Sequence, residues 1–146
     1  MSSTTFEIEK LYIEFFNRPA DAGGLQYWSN AANNGATITQ IAHAMENSVE
    51  YHAAFTQSWN DGVASSVDHA FMNMFDRHAS MAELSTWGVK LYGALVEHTP
   101  TSDVIMQIGD AAVGADLQHL MQKVTDAVPV QLVGVQTHEA VHAAIA

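Results

Sequence analysis

The 146-residue chain contains no cysteine. Disulfides, thiolate metal sites and cysteine nucleophiles are therefore excluded. Basic residues are scarce: 5 Lys and Arg stand against 16 Asp and Glu, a formal charge of -11 at pH 7. Phosphate contacts need the opposite balance, so nucleic acid and anionic membrane surfaces are set aside as partners. No apolar run approaches the roughly 18 residues that cross a bilayer. The opening residues, Met-Ser-Ser-Thr-Thr-Phe-Glu-Ile-Glu-Lys, lack the basic start and apolar stretch of a secretory signal peptide, so export is expected to use another route. Glycine-rich phosphate loops, Gly-x-Ser-x-Gly elbows and Asp-x-Asp-x-Asp-Gly calcium loops are missing as well.

Apolar material is ample. Hydrophobic residues make up 48% of the chain, enough for a core at the size of one domain. Ile8, Leu11, Tyr12 and Phe15 have the three-and-four spacing of one helix face, and a shift of 59 residues finds Val67, Ala70, Phe71 and Met74. The register continues without a gap: Phe16, Arg18, Ala20, Leu25 and Trp28 recur as Phe75, Arg77, Ala79, Leu84 and Trp87. Such self-similarity reads as an internal duplication.

Breaks follow capping chemistry. Asp21 and its counterpart Ser80 are good N-caps, and Ser80 with Glu83, Ser65 with Asp68, and Thr37 with Gln40 have capping-box spacing or a near variant. Gly35 stands where a helix would stop. Helices are expected near 4–17, 22–34, 38–46, 49–59, 64–76, 81–97, 102–113, 115–127 and 137–145. Val128 to Val135, β-branched and interrupted by Pro129 and Gly134, reads as an extended connector because one strand has nothing to pair with. The expectation is an all-α, single helical domain over 1–146: a multi-helix bundle of two related units, about 4–60 and about 63–127, followed by a connector and helix over 128–146.

Arg18 lies just past one helix and Asp21 opens the next. Arg18 is expected to bond terminal carbonyls while Asp21 caps free N–H groups. Leu25 and Trp28, like Leu84 and Trp87, share a helix face, so both indoles are expected in the core with a hydrogen-bonded N–H. Candidate ligand contacts are Tyr27, Tyr51 and Trp59, aromatics suited to stacking on sugar rings, with Asn30, Asn34 and Asp61 as a polar border.

The stretch from Leu11 to Trp28, Leu-Tyr-Ile-Glu-Phe-Phe-Asn-Arg-Pro-Ala-Asp-Ala-Gly-Gly-Leu-Gln-Tyr-Trp, resembles the signature of the family known as domain of unknown function 4214. Gly35, Thr37 and the run Asn47 to Tyr51 extend the likeness. The resemblance implies a helical domain of bacterial extracellular proteins, often exported by type I secretion. It further implies surface-layer anchoring to lipopolysaccharide, or the company of adhesins and calcium-binding repeats. The expected function is a non-catalytic attachment module whose partner is a surface polysaccharide, lipopolysaccharide or a second copy. No cofactor is required on this reading, with calcium as an optional ligand.

One motif points elsewhere. His138-Glu139-Ala140-Val141-His142 is an H-E-x-x-H string; on a helix its two histidines lie one turn apart and can hold zinc, with the glutamate as general base. A third protein ligand has to come from upstream or from another chain. The rival expectation is a zinc hydrolase built on His138 and His142.

Overall fold

The computed structural model describes residues 3–55 and 62–135, in which eight helices account for all regular structure. They are α1 (Ser3–Phe16), α2 (Ala22–Asn33), α3 (Ile38–Glu46), α4 (Val49–Ala54), α5 (Val63–Phe75), α6 (Met81–Glu97), α7 (Thr101–Ala111) and α8 (Gly114–Val135). The fold is an all-α bundle. The expected helix over 137–145 lies outside the described residues.

Several helices begin and end where backbone groups find partners. Thr37 and Ser80 form complete capping boxes with Gln40 and Glu83, each satisfying two otherwise unpaired donors. Ser48 caps α4 through the Tyr51 N–H. Past α2, Gly35 adopts φ 103°, and the N–H groups of Gly35 and Ala36 return to the carbonyls of Ala32 and Ala31. This paired closure uses the left-handed conformation that glycine adopts freely.

One core joins both halves of the chain. Ile8, Leu11, Phe15, Ile41 and Tyr51 from α1, α3 and α4 are buried in the same cluster as Val67, Met74, Leu91 and Ile105 from α5 to α7. α1 and α5 pack on one another, and α8 lies across both. α7 sits among α1, α3, α5 and α6.

Three expectations are corrected. α4 stops at Ala54 rather than running to 59. Ser65 is not a cap, because α5 begins at Val63 with Gly62 as its N-cap at φ 93°; Asp68 reaches instead across to Ala79. Most substantially, the segment Val128 to Val135 is not an extended connector but the last part of α8. Ala127 and Val128 are buried against the core, and that burial outweighs the preference of β-branched residues for strands. The helix runs through Pro129, which donates no backbone bond.

Candidate functional site

The two helix corners carry most of the polar chemistry. Asn17 follows α1 and Asp76 follows α5, both in the left-handed region at φ 54° and 53°. Next in each case comes an arginine. Arg18 donates through Nε and Nη2 to the two carboxylate oxygens of Glu50, at 2.9 and 2.6 Å, and through Nη1 to Pro19 O. Arg77 donates to Glu83 through Nη1 and Nη2 at 2.8 Å and to Asp116 through Nε and Nη2 at 3.0 and 2.7 Å, while Nη1 also reaches His78 O. Each guanidinium lies over two rings, Tyr12 and Phe16 for Arg18, Phe71 and Phe75 for Arg77. The expected role of Arg18 as a cap for helix-end carbonyls is thus corrected. Its planar fork matches a carboxylate, so α4 is tied to the corner and the one carbonyl taken belongs to the turn.

A second bond closes each corner from within. Glu9 Oε1 accepts the Ala20 N–H at 2.9 Å, and Asp68 Oδ1 accepts the Ala79 N–H at 2.8 Å. These pairs are again 59 residues apart. The remaining oxygens differ. Asp68 Oδ2 pairs with His78 Nδ1 at 2.7 Å, which holds its carboxyl below the usual range. In the first corner the matching position is Pro19, which offers no donor, and Glu9 Oε2 is buried without a hydrogen-bond partner among the described residues. Burial pushes the Glu9 carboxyl up to about 7, against the opposing pull of the Ala20 bond and Arg18.

With this geometry in place, comparison with known proteins is informative. Residues 1–55 match the model of a family described as Domain of unknown function (DUF4214). The match spans less than half of the chain. No curated protein and no solved structure matches the chain. The matched span covers α1 to α4 and ends at Phe55, so it contains the first corner with its Arg18–Glu50 pair.

Inside the matched segment, Asp21 occupies the N-cap position of α2 with extended backbone but makes no side-chain cap bond, contrary to expectation. The residue three positions on is Gly24, which has no side chain to complete a box. A Cβ at Gly24 would collide with the Tyr12 hydroxyl and meet Asp21 Oδ1; the glycine makes room for the tyrosine. That hydroxyl accepts the Trp28 indole N–H at 3.2 Å. In the second corner Glu83 replaces Gly24, Phe71 replaces Tyr12, and Ser80 caps α6. Leu25 is buried, while Trp28, Leu84 and Trp87 are partly buried against the core. Lys90 Nζ lies over the Trp87 ring.

The expected ligand contacts separate into three groups. Tyr27 is 66% exposed and stacks edge-on against Trp28 with ring centroids 4.7 Å apart. Asn30 and Asn34 are exposed beside it, one and two turns along α2 and its cap. Tyr51, in contrast, is fully buried, which removes it as a surface contact. Its ring packs on Phe15 and Phe55 and its hydroxyl pairs with Thr101 Oγ1 at 2.9 Å. Trp59, Asp61, His138 and His142 lie outside the described residues. Among the described residues no three His, Asp or Glu side chains are grouped to hold a metal, and no described helix is long and apolar enough to cross a membrane.

Sequence reasoning missed Glu46. Its carboxylate accepts the Thr101 and Ser102 N–H groups at 3.3 and 2.8 Å, capping α7 from the end of α3. Beside it a cavity of about 390 Å³ is lined by residues including His98, Thr99 and Thr101.

Proposed function

We propose that the chain is a non-catalytic attachment module of a bacterial secreted or cell-surface protein, with a surface polysaccharide or lipopolysaccharide sugar as its ligand. The observation carrying this reading is the exposed face made by Tyr27, Asn30 and Asn34. Trp28, anchored by Tyr12, supports the Tyr27 ring at its edge. An aromatic ring bordered by amides is suited to a sugar, whose axial C–H groups stack and whose hydroxyls bond to the border. The corner arginines and carboxylates are already spent on one another, which supports a scaffold rather than a reaction centre. Export to the cell surface is part of the same proposal.

The test is retention on immobilised bacterial polysaccharides and lipopolysaccharide, comparing the natural chain with Tyr27→Ala and Asn30→Ala. Retention of the natural chain, with at least about tenfold weaker binding of Tyr27→Ala, is the expected result. Absence of retention together with concentration-dependent oligomers in sedimentation would replace sugar binding with self-association.

A further inference from the structure

α7 meets α1 through a carboxyl group pressed against a glycine. Glu14 is 1% exposed, and its Oε2 has no hydrogen-bond partner among the described residues. A Cβ built on Gly109 would collide with that oxygen, so the α7 backbone crosses directly over the carboxyl. Charged groups around it are few. Lys10 Nζ stands 3.9 Å from Oε2 but is engaged with Asp110 of α7 at 3.1 Å. α5 contributes Asn73, whose amide donates to Glu14 O, and Met74 near Gly109. Four charged side chains of the other neighbours are turned elsewhere. Asp21 of the α2 cap faces Gly24, Glu46 of α3 caps α7, Glu50 of α4 holds Arg18, and Lys123 of α8 binds Asn17 and Asp76. A buried carboxylate with so little compensation is costly, whereas the neutral acid fits.

We infer that the α1–α7 crossing is an acid-closed latch: protonated Glu14 lets α7 lie on α1 and α3, and ionisation of that carboxyl opens α7 away from them.

Burial sets the direction of the response. Burial pushes Glu14 up to about 8, with Lys10 lowering it and Asp110 raising it. Once opened, the carboxyl titrates like any solvated glutamate, near roughly 4.3. The closed form therefore binds the extra proton between those limits, and opening becomes easier as pH rises. His43 Nε2 also bridges α3 to Asp103 of α7 at 2.7 Å. The Glu46 cap and the Tyr51–Thr101 bond hold the N-terminal end of α7, whereas the Gly109 end is tied to α1 by the Lys10–Asp110 pair, whose carboxylate is largely exposed, so this is the end that lifts.

Amide hydrogen exchange on the whole chain tests this, with rates corrected for base-catalysed chemical exchange. Between about pH 5.5 and 7.5, protection of the amides from Ile105 to Gly109 is expected to fall by up to about tenfold per pH unit. Amides at the centre of α5 should change much less, and Glu14→Gln should remove most of the slope. An equal slope in Glu14→Gln, a flat profile in the natural chain, or an equal fall in α5 would overturn the latch. Should Glu14→Gln not fold, the carboxyl carbon of Glu14 in the natural chain decides by NMR titration. A midpoint above about pH 6.5 supports the latch, and one in the ordinary range of about 4 to 5 overturns it.

Discussion

Asn17 and Asp76 end their helices in the same left-handed conformation and share one ammonium: Lys123 Nζ donates to Asn17 Oδ1 at 2.6 Å and to Asp76 Oδ1 at 3.0 Å. A third bond goes to Asn73 O at 2.6 Å. α8 therefore pins the two corners together from above the α1–α5 contact. His119, one turn earlier on α8, grips the other oxygen of Asp76.

Lys123→Met keeps the aliphatic stem and removes the pin. The Asn73 carbonyl and two side-chain acceptors lose their donor at a site where Lys123 is 17% exposed. A loss of about 1–3 kcal/mol in urea unfolding is expected, with the slope of the transition unchanged. A change below about 0.5 kcal/mol would mean that water replaces the ammonium without cost.

The two arginines should not be equal. Arg77 holds two carboxylates and Arg18 one, and both corners are partly open to solvent, where screening weakens ion pairs. Arg77→Ala is therefore expected to destabilise by about 1–2 kcal/mol and Arg18→Ala by less, each change also removing a stem packed on two rings. Arg77 holds the Glu83 carboxyl down to about 2. A depressed folded value means stability that is present above about 4.3 and lost as pH falls through about 2. Acid unfolding monitored by circular dichroism should thus shift to higher pH in Arg77→Ala.

Tyr12 and Gly24 are predicted to be coupled. Gly24→Ala drives a methyl into the Tyr12 hydroxyl, so it should destabilise the natural chain by about 1–3 kcal/mol. Tyr12→Phe alone strips the Trp28 indole of its acceptor, at about 1 kcal/mol. Together they imitate the second corner, where Phe71 faces a position that carries a side chain, Glu83. The double variant should therefore lose at least about 0.5 kcal/mol less than the sum of the single changes. Strict additivity in thermal denaturation would show that Asp21, not Tyr12, sets the limit on Gly24.

These relationships explain what the amino-acid order made legible. Ile8, Leu11, Tyr12 and Phe15, picked out by spacing alone, are all buried, as are Val67, Ala70, Phe71 and Met74. Helix faces, the Thr37 and Ser80 capping boxes and the repeated places of Arg18 and Arg77 are local or repeated signals that survive in the structure, whereas the Ser65 cap and the expected partners of Arg18 do not. Buried acids were not read, because a glutamate in an amphipathic helix is normally placed on the wet side. The available clues were positional: Glu14 falls three residues past Leu11 on the apolar face, and Glu9 has an acidic counterpart at Asp68. Lys123 reaches Asn17 across 106 residues, a distance at which spacing says nothing. The end of α8 was misread because its β-branched residues report propensity, whereas Ala127 and Val128 are held by packing.

Glu9 supplies the last prediction, and its sign is opposite to that of Glu83. Its folded value, about 7, lies above that of an unfolded glutamate. The native state therefore binds more protons, and the stability Glu9 contributes is complete below about pH 4.3 and lost as pH rises through about 7. Glu9→Gln keeps an oxygen for the Ala20 N–H and cannot ionise. At pH 5 the variant should match the natural chain within about 1 kcal/mol, whereas at pH 8.5 it should be more stable by about 3 kcal/mol. The check is the difference between the two urea midpoints followed across that range, which cancels the histidines and surface carboxylates common to both. If the difference stays constant with pH, Glu9 is ionised throughout, and an unseen partner, such as a trapped water, must satisfy Oε2.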